Sequence, residues 1–237
     1  MKNVCVIALG GSLVVPHLSD SGGVDVAFLK RFRSFLLGEL KNGRRVVLVV
    51  GGGKIARMYN ASAARVVRMT KEDLDWIGIH ATRLNAHLLR TIFVKTAYPV
   101  VLDHDPSFAE AKRLRESRAR LFIASGWRPG WSTDYIASRL ARKFGARDIV
   151  DAGDIPFVYD EDPKKNGNAK PIVALSWKEY RRLIPQAWSP GMAVPFDPVA
   201  SRLAQKEKLR VKILDGRDLK NMKRAINGES FKGTLIS

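Results

Sequence analysis

Three short stretches carry glycine in a form suited to binding an anion: "LGGS" at 9–12, "VGGGK" at 50–54 and "SGWRPGWSTD" at 125–134. Glycine lets the backbone approach a ligand closely and lets successive N–H groups turn inward, and a helix that follows adds partial positive charge, so such loops suit phosphate. None of them matches the G-x-x-x-x-G-K-[ST] loop or the G-x-G-x-x-G fingerprint, which sets the common nucleotide-binding folds aside. Lys54 is the lysine within these loops, and a compact ammonium at a helix start suits a phosphoryl group in transit. The plain alternative for Lys54 is a surface lysine. Arg57 either reaches the same phosphate or points to solvent, and Asp75 either extends a helix cap or accepts hydrogen bonds from sugar hydroxyls.

Other chemistries find little support. His17, His80, His87 and His104 form no zinc pattern, so no protein-held metal is expected, and no G-x-S-x-G elbow supplies a serine nucleophile. The acidic stretch "DAGDIPFVYDEDP" (151–163) suggests a cation turn at Asp160 and Asp162, yet it lacks the glycine and closing glutamate of a calcium loop.

Loops of this kind need strands and helices to hold them. "NVCVIAL" (3–9), "RVVLVV" (45–50), "ARLFIAS" (119–125), "RDIVDA" (147–152) and "RVKIL" (210–214) read as buried strands. Between them lie helical patterns. Residues 24–43 form one, closed by Gly43; a glycine turn at 51–53 opens a second; residues 73–94 give a third with Asp73 as its cap; residues 133–145 give a fourth, ended by Gly145; and Asp197 with Pro198 starts another. The region after the first strand is expected to be a turn. Strands alternating with helices predict an α/β fold, a mainly parallel sheet covered on both faces, with ligands at the carboxyl ends of the strands.

The chain has 237 residues, 46% of them hydrophobic, enough for one sizeable core. Its 41 Lys and Arg against 23 Asp and Glu give a net charge of +18, a field that attracts nucleic acid, anionic membranes or phosphorylated small molecules alike. The basic runs at 112–120, 139–147 and 217–224 are interleaved with apolar residues at helical spacing and are expected to be solvated helix faces. With no aromatic-basic RNA motif, nucleic acid ranks last among the partners. The single cysteine, Cys5, fits a buried structural thiol in a reducing compartment. No apolar run approaches the ~20 residues of a membrane span, so the expectation is a soluble, cytoplasmic protein.

Taken in order, "ALGGSLVVP", "LVVGGGKIAR", "DWIGIHATRLNAHLL", "RPGWSTDYIASRLA", "VYDEDPKK", "FDPVASRLA" and "INGESFKGTLI" resemble the amino acid kinase superfamily, most of all its archaeal-type uridylate kinase branch. The resemblance runs from about residue 3 to residue 236. It implies a three-layer α/β/α sandwich forming a single domain over 1–237, with a phosphoryl-acceptor lobe at about 1–145 and an ATP lobe at about 146–237. It also implies Mg2+-dependent transfer from ATP to UMP by a homo-oligomer, a hexamer.

Carried over position by position, the resemblance puts Gly11, Ser12, Gly53 and Arg57 at the ATP phosphates, with Gly153 and Asp154 at the floor of the ATP site and Tyr159 and Asp162 on its adenine and ribose side. Gly52, Asp75 and the loop Trp127, Arg128, Pro129, Gly130, Trp131, Ser132 and Thr133 would hold UMP, and Lys54 would stabilise the transferring group. The chain departs from the family pattern at three places. Ala8 stands where many superfamily members carry a lysine, one that the archaeal-type uridylate kinases often lack too. "GDIPFVY" stands where T-N-V-D-G-V-Y is expected, so Pro156 replaces an aspartate and Phe157 a glycine, and that loop must be rebuilt. Trp127 and Trp131 stand where relatives have small or polar residues, and such aromatics can narrow a pocket or stack on a base. These departures leave open a kinase of the same fold with another phosphate or carboxylate acceptor, or a nucleotide-binding protein without catalysis.

Overall fold

The computed structural model describes residues 4–17, 23–163, 165–189, 191–192 and 194–237. The first residue of the "NVCVIAL" strand reading lies outside the described residues.

Apolar β-branched runs form the centre. Strands β1 (Val4–Leu9), β2 (Arg45–Val50), β3 (Leu121–Ala124), β4 (Asp148–Gly153) and β8 (Arg210–Asp215) pair in parallel in the order β3-β2-β1-β4-β8. The short strands β9 (Thr234–Ile236) and β7 (Ala174–Leu175) extend the sheet, β9 lying antiparallel to β8 and parallel to β7. A separate hairpin pairs β5 (Val158–Tyr159) with β6 (Pro171–Ile172).

Strand side chains alternate between the two faces, and each face is covered by helices. Ile7, Leu9, Leu48 and Val50 pack with α2 (Val26–Lys41), α4 (Lys71–Ile92) and α9 (Leu219–Asn227). Val6, Ala8, Val47, Phe122 and Ala124 pack against α6 (Thr133–Phe144), α7 (Trp177–Leu183) and α8 (Pro198–Lys206), with Leu114 of α5 (Phe108–Glu116) in the same layer. The result is the expected α/β/α sandwich with a mainly parallel sheet. Cys5 lies within it, and burial pushes its thiol up to about 12.

Caps follow the sequence closely, with one correction. Asp197 accepts from the N–H groups of Val199 and Ala200 with Pro198 at the first helical position, and Gly145 closes α6 at φ 72°. The cap of α4 is Thr70, not Asp73. Asp73 sits three residues in, and its carboxylate returns a bond to the Thr70 N–H, the reciprocal pair of a capping box. The turn expected after β1 is instead the short helix α1 (Gly11–Val14).

The run at 139–147 is not simply a solvated face. Lys143 is buried and its ammonium bonds to the Asp105 carboxylate, which also receives Arg139. An ammonium this far from water requires such a partner.

Candidate functional site

The carboxyl ends of β1, β2, β3 and β4 open into a cavity of about 350 Å3. Two glycine loops form one wall. Gly10 donates to Ala152 O at 2.8 Å and Gly51 to Leu9 O at 2.9 Å, which ties the loops after β1 and β2 to the sheet. They then press directly on each other: a Cβ on Gly11 would lie 2.3 Å from Gly51 O, and one on Gly53, at φ 60°, would lie 2.4 Å from Gly11 C. Only hydrogen fits at either position. Gly53 opens α3 (Gly53–Ala64), so backbone N–H groups and a helix N-terminus face the same space.

Helix α4 holds the opposite wall with polar side chains about one or two turns apart. Asn85 donates to Gly51 O at 2.8 Å, Thr82 Oγ1 accepts from Gly126 N at 2.6 Å, and Asp75 accepts from Gly130 N at 2.8 Å. The glycine loop after β2 and the loop after β3 are thereby fastened to one rigid element. Asp75 is neither a cap nor idle, and partial burial raises its pKa despite the Gly130 N–H.

The floor is acidic. Asp151 lies in β4 between the buried Val150 and Ala152, Asp134 lies in the first turn of α6, and Asp197 caps α8. Asp134 accepts from Asp197 N at 3.0 Å, and Ser132 Oγ donates to the Asp197 carboxylate, joining the start of α6 to α8. Asp134 is pushed up to about 7, first by burial and then by the charge of Asp197; burial and Asp134 together raise Asp151 well above the ordinary range. Burial raises Asp197 too, against the Ser132 hydroxyl and the N–H groups of Val199 and Ala200. These three carboxylates are what reading the sequence missed, Asp197 having been legible only as a cap. The usable signal was Asp151, a charge inside the apolar run "RDIVDA" where a doubly covered strand has no reason to hold one.

Of the residues expected at ATP, Gly11, Ser12, Gly53, Arg57, Gly153 and Asp154 line this cavity, whereas Tyr159 on β5 and Asp162 beyond it do not. Of those expected at the acceptor, Gly52, Asp75, Trp131, Ser132 and Thr133 line it; Trp127, Arg128, Pro129 and Gly130 do not, and neither does Lys54. Trp127 is a core residue: it is buried, and its indole N–H donates to Leu102 O at 3.0 Å. Trp131 is the tryptophan of that loop on the cavity wall. Its ring lies 5.2 Å from the Arg128 guanidinium and 5.0 Å from that of Arg139, with Tyr135 edge-on at 4.8 Å.

A chain built around two opposed glycine loops at strand ends has relatives. A model of the amino acid kinase family matches residues 3–215. The chain belongs to the amino acid kinase family. It is 35% identical over 237 residues to a uridylate kinase of Hyperthermus butylicus, covering all of this chain and 99% of that one. It is 33% identical over 232 residues to a uridylate kinase of Methanocorpusculum labreanum, covering 98% of this chain and 94% of that one. Among solved structures, a uridylate kinase from Archaeoglobus fulgidus superimposes with a TM-score of 0.78 at 29% identity, covering 98% of this chain and 99% of the other. A UMP kinase from Bacillus anthracis, at TM-score 0.80 and 23% identity over 99% of this chain and 96% of the other, shares the fold.

Against its family, the rebuilt loop of this amino acid kinase is unstrained. Phe157 avoids positive φ, as Lys208 is the one non-glycine residue with positive φ among the described residues. Its ring stands edge-on to Tyr159 at 6.3 Å. The position that glycine occupies in the family pattern is met here by a conformation open to any side chain.

A second feature concerns charge. Among the described residues lining the cavity there are five aspartates, Asp75, Asp134, Asp151, Asp154 and Asp197, and one cation, Arg57. A triphosphate entering alone would meet carboxylates, whereas one carrying a divalent cation brings the opposing charge with it. The oxygen donors suit a hard ion such as magnesium, and no preformed group of three or more metal-binding side chains exists among the described residues.

Proposed function

We propose that this chain transfers the γ-phosphoryl group of ATP, carried as its magnesium complex, to UMP, giving UDP and ADP. The observation that carries the reading is the pair of interlocked glycine loops facing the acceptor-side wall of α4 and Trp131 across one cavity. The near full-length similarity to uridylate kinases supports the choice of UMP.

In this reading the backbone N–H groups of Gly11, Ser12 and Gly53, with Arg57, hold the β- and γ-phosphates, while Gly153 and Asp154 bound the nucleotide side. Gly52, Asp75, Ser132 and Thr133 hold UMP so that one of its phosphate oxygens lies in line with the γ-phosphorus. That oxygen forms the new P–O bond as the bond to the ADP oxygen breaks, with no covalent intermediate on the protein. Magnesium, when present on ATP, spreads the charge of the passing group, and Asp134 and Asp151 are the carboxylates able to meet it. Lys54 acts only after turning its ammonium into the cavity, so Arg57 is the first cation to test.

The lobe division, near residue 145, and a cytoplasmic homo-oligomer, a hexamer, belong to the same reading. Helix α3 buries none of its residues, and Tyr59, Val66 and Val67 stay exposed, as a face awaiting a second copy would be. Light scattering on the purified protein reads the assembly directly.

A coupled assay with ATP, magnesium and a panel of nucleoside monophosphates and small phosphorylated or carboxylated acceptors tests the assignment. Turnover of UMP above the other acceptors is expected; clear turnover of another acceptor with none of UMP would overturn it. The second reading, another acceptor on the same fold, is favoured by Trp131 on the cavity wall.

A further inference from the structure

The cavity that receives two polyanionic substrates is acidic, so the +18 net charge is not concentrated where the substrates bind. Part of the excess lies at the other edge of the sheet. Strands β2, β3, β4 and β8 are each entered through arginine: Arg44 and Arg45, Arg120, Arg147, and Arg210. Parallel pairing brings these entry points to one edge, since Val46 N donates to Arg120 O at 2.7 Å and Arg210 N to Arg147 O at 2.9 Å.

Two hollows line this edge. One, of about 380 Å3, is bounded by Lys41, Lys95, Arg118 and Arg120 with no carboxylate among its lining residues. The other, of about 450 Å3, is bounded by Arg44, Arg147, Arg210 and Lys212 around Asp148. Arg45 bridges toward the first hollow, donating to Ala119 O and Ser117 O, carbonyls that leave its charge uncancelled. Ion pairs at this edge reach Arg44 through Glu39, and Arg210 and Lys212 through Asp148. Among the described residues, no carboxylate lies within ion-pair distance of Lys41, Arg45, Lys95, Arg118, Arg120 or Arg147.

We propose that the amino edge of the sheet, from Lys95 and Arg118 across to Arg147, binds the phosphate backbone of nucleic acid without reading its sequence. From β3 to β4 the edge spans three strand spacings, about 14 Å, the axial length of about four base pairs. A row of unpaired cations of that length suits a repeating polyanion better than a single phosphate. The lack of an aromatic-basic RNA motif is then expected, because backbone binding needs no stacked bases. The edge lies across the sheet from the substrate cavity, so both can be occupied at once.

Fluorescence anisotropy of labelled DNA and RNA duplexes of about 20 base pairs, titrated with the full chain between about 50 and 200 mM salt, tests this. The expected result is micromolar binding at low salt with a log–log salt slope of about −5, unaffected by saturating ATP and UMP. A K95Q/R118Q/R147Q variant removes exposed charges whose side chains make no hydrogen bond or ion pair in the structure; it should bind at least about tenfold more weakly at low salt, with a slope shallower by about 3. A K178Q/R182Q/K206Q variant on α7 and α8 loses the same charge elsewhere and should stay within about twofold of the parent. Equal loss in both variants, displacement by ATP or UMP, absence of duplex binding, or binding to phosphatidylserine vesicles that duplex fails to displace would each overturn the proposal. Kinase activity, unchanged in the edge variant, is read separately.

Discussion

Asp134 carries the clearest residue-level consequence. Folding raises its pKa from an ordinary carboxylate value to about 7, so the native state retains a proton that the unfolded chain releases. Its contribution to stability is fully present below about pH 4 and is lost as pH rises through about 7. Asp134→Asn removes that dependence. In the absence of nucleotide the variant's melting temperature should move up relative to the parent between pH 5 and pH 8, while kcat with ATP and UMP falls at least about tenfold. A melting gap independent of pH would contradict the assignment. The two tryptophans of the acceptor loop should separate in the same way. Trp127→Ala should cost about 3–5 kcal/mol in urea unfolding because it empties a buried site, whereas Trp131→Ala should cost less and change KM for the acceptor. The sequence could not distinguish them: both are tryptophans in a glycine-rich loop, and which one turns inward depends on the Leu102 carbonyl, distant in sequence, that takes the indole N–H.

At the scale of elements, α4 is the brace of the site. Thr82→Val leaves the Gly126 N–H without its acceptor, and a buried orphan of that kind costs about 1–3 kcal/mol. The predicted readout is lower thermal stability together with a raised KM for the acceptor and little change in KM for ATP. Gly53→Ala meets both a positive φ and the backbone of Gly11, so it should lose at least about 1–3 kcal/mol of stability and most ATP binding by calorimetry. Elements of this kind were largely legible. Continuous apolar runs and helical spacing located the parallel strands and main helices, because the first records burial on both faces of a sheet and the second burial on one face of a helix. The bracing was not legible, since Asn85, Thr82 and Asp75 look in sequence like ordinary polar residues on an amphipathic helix, and only the fold brings two loops to them.

The molecule as a whole is electrically polarised along its strands, with carboxylates gathered at the carboxyl ends and unpaired cations at the amino ends. Composition alone reported the sum, which cannot reveal two poles. One arrangement in the sheet also fixes an order of events. Strand β7 pairs with β9 alone, and Thr234 of β9 accepts from Val158 N at 2.8 Å while its hydroxyl donates to Ile172 O, so the β5–β6 hairpin hangs on the same strand. During synthesis, everything from β1 to β4 can assemble from neighbours already made, but β7 and the hairpin wait for residues 234–236 to emerge. Assembly during synthesis should therefore be sequential: in chains stalled on the ribosome before residue 234, amides of β1, β2 and β4 should be protected from hydrogen exchange while the hairpin bearing Tyr159 is not, and the hairpin locks once the β9 residues emerge.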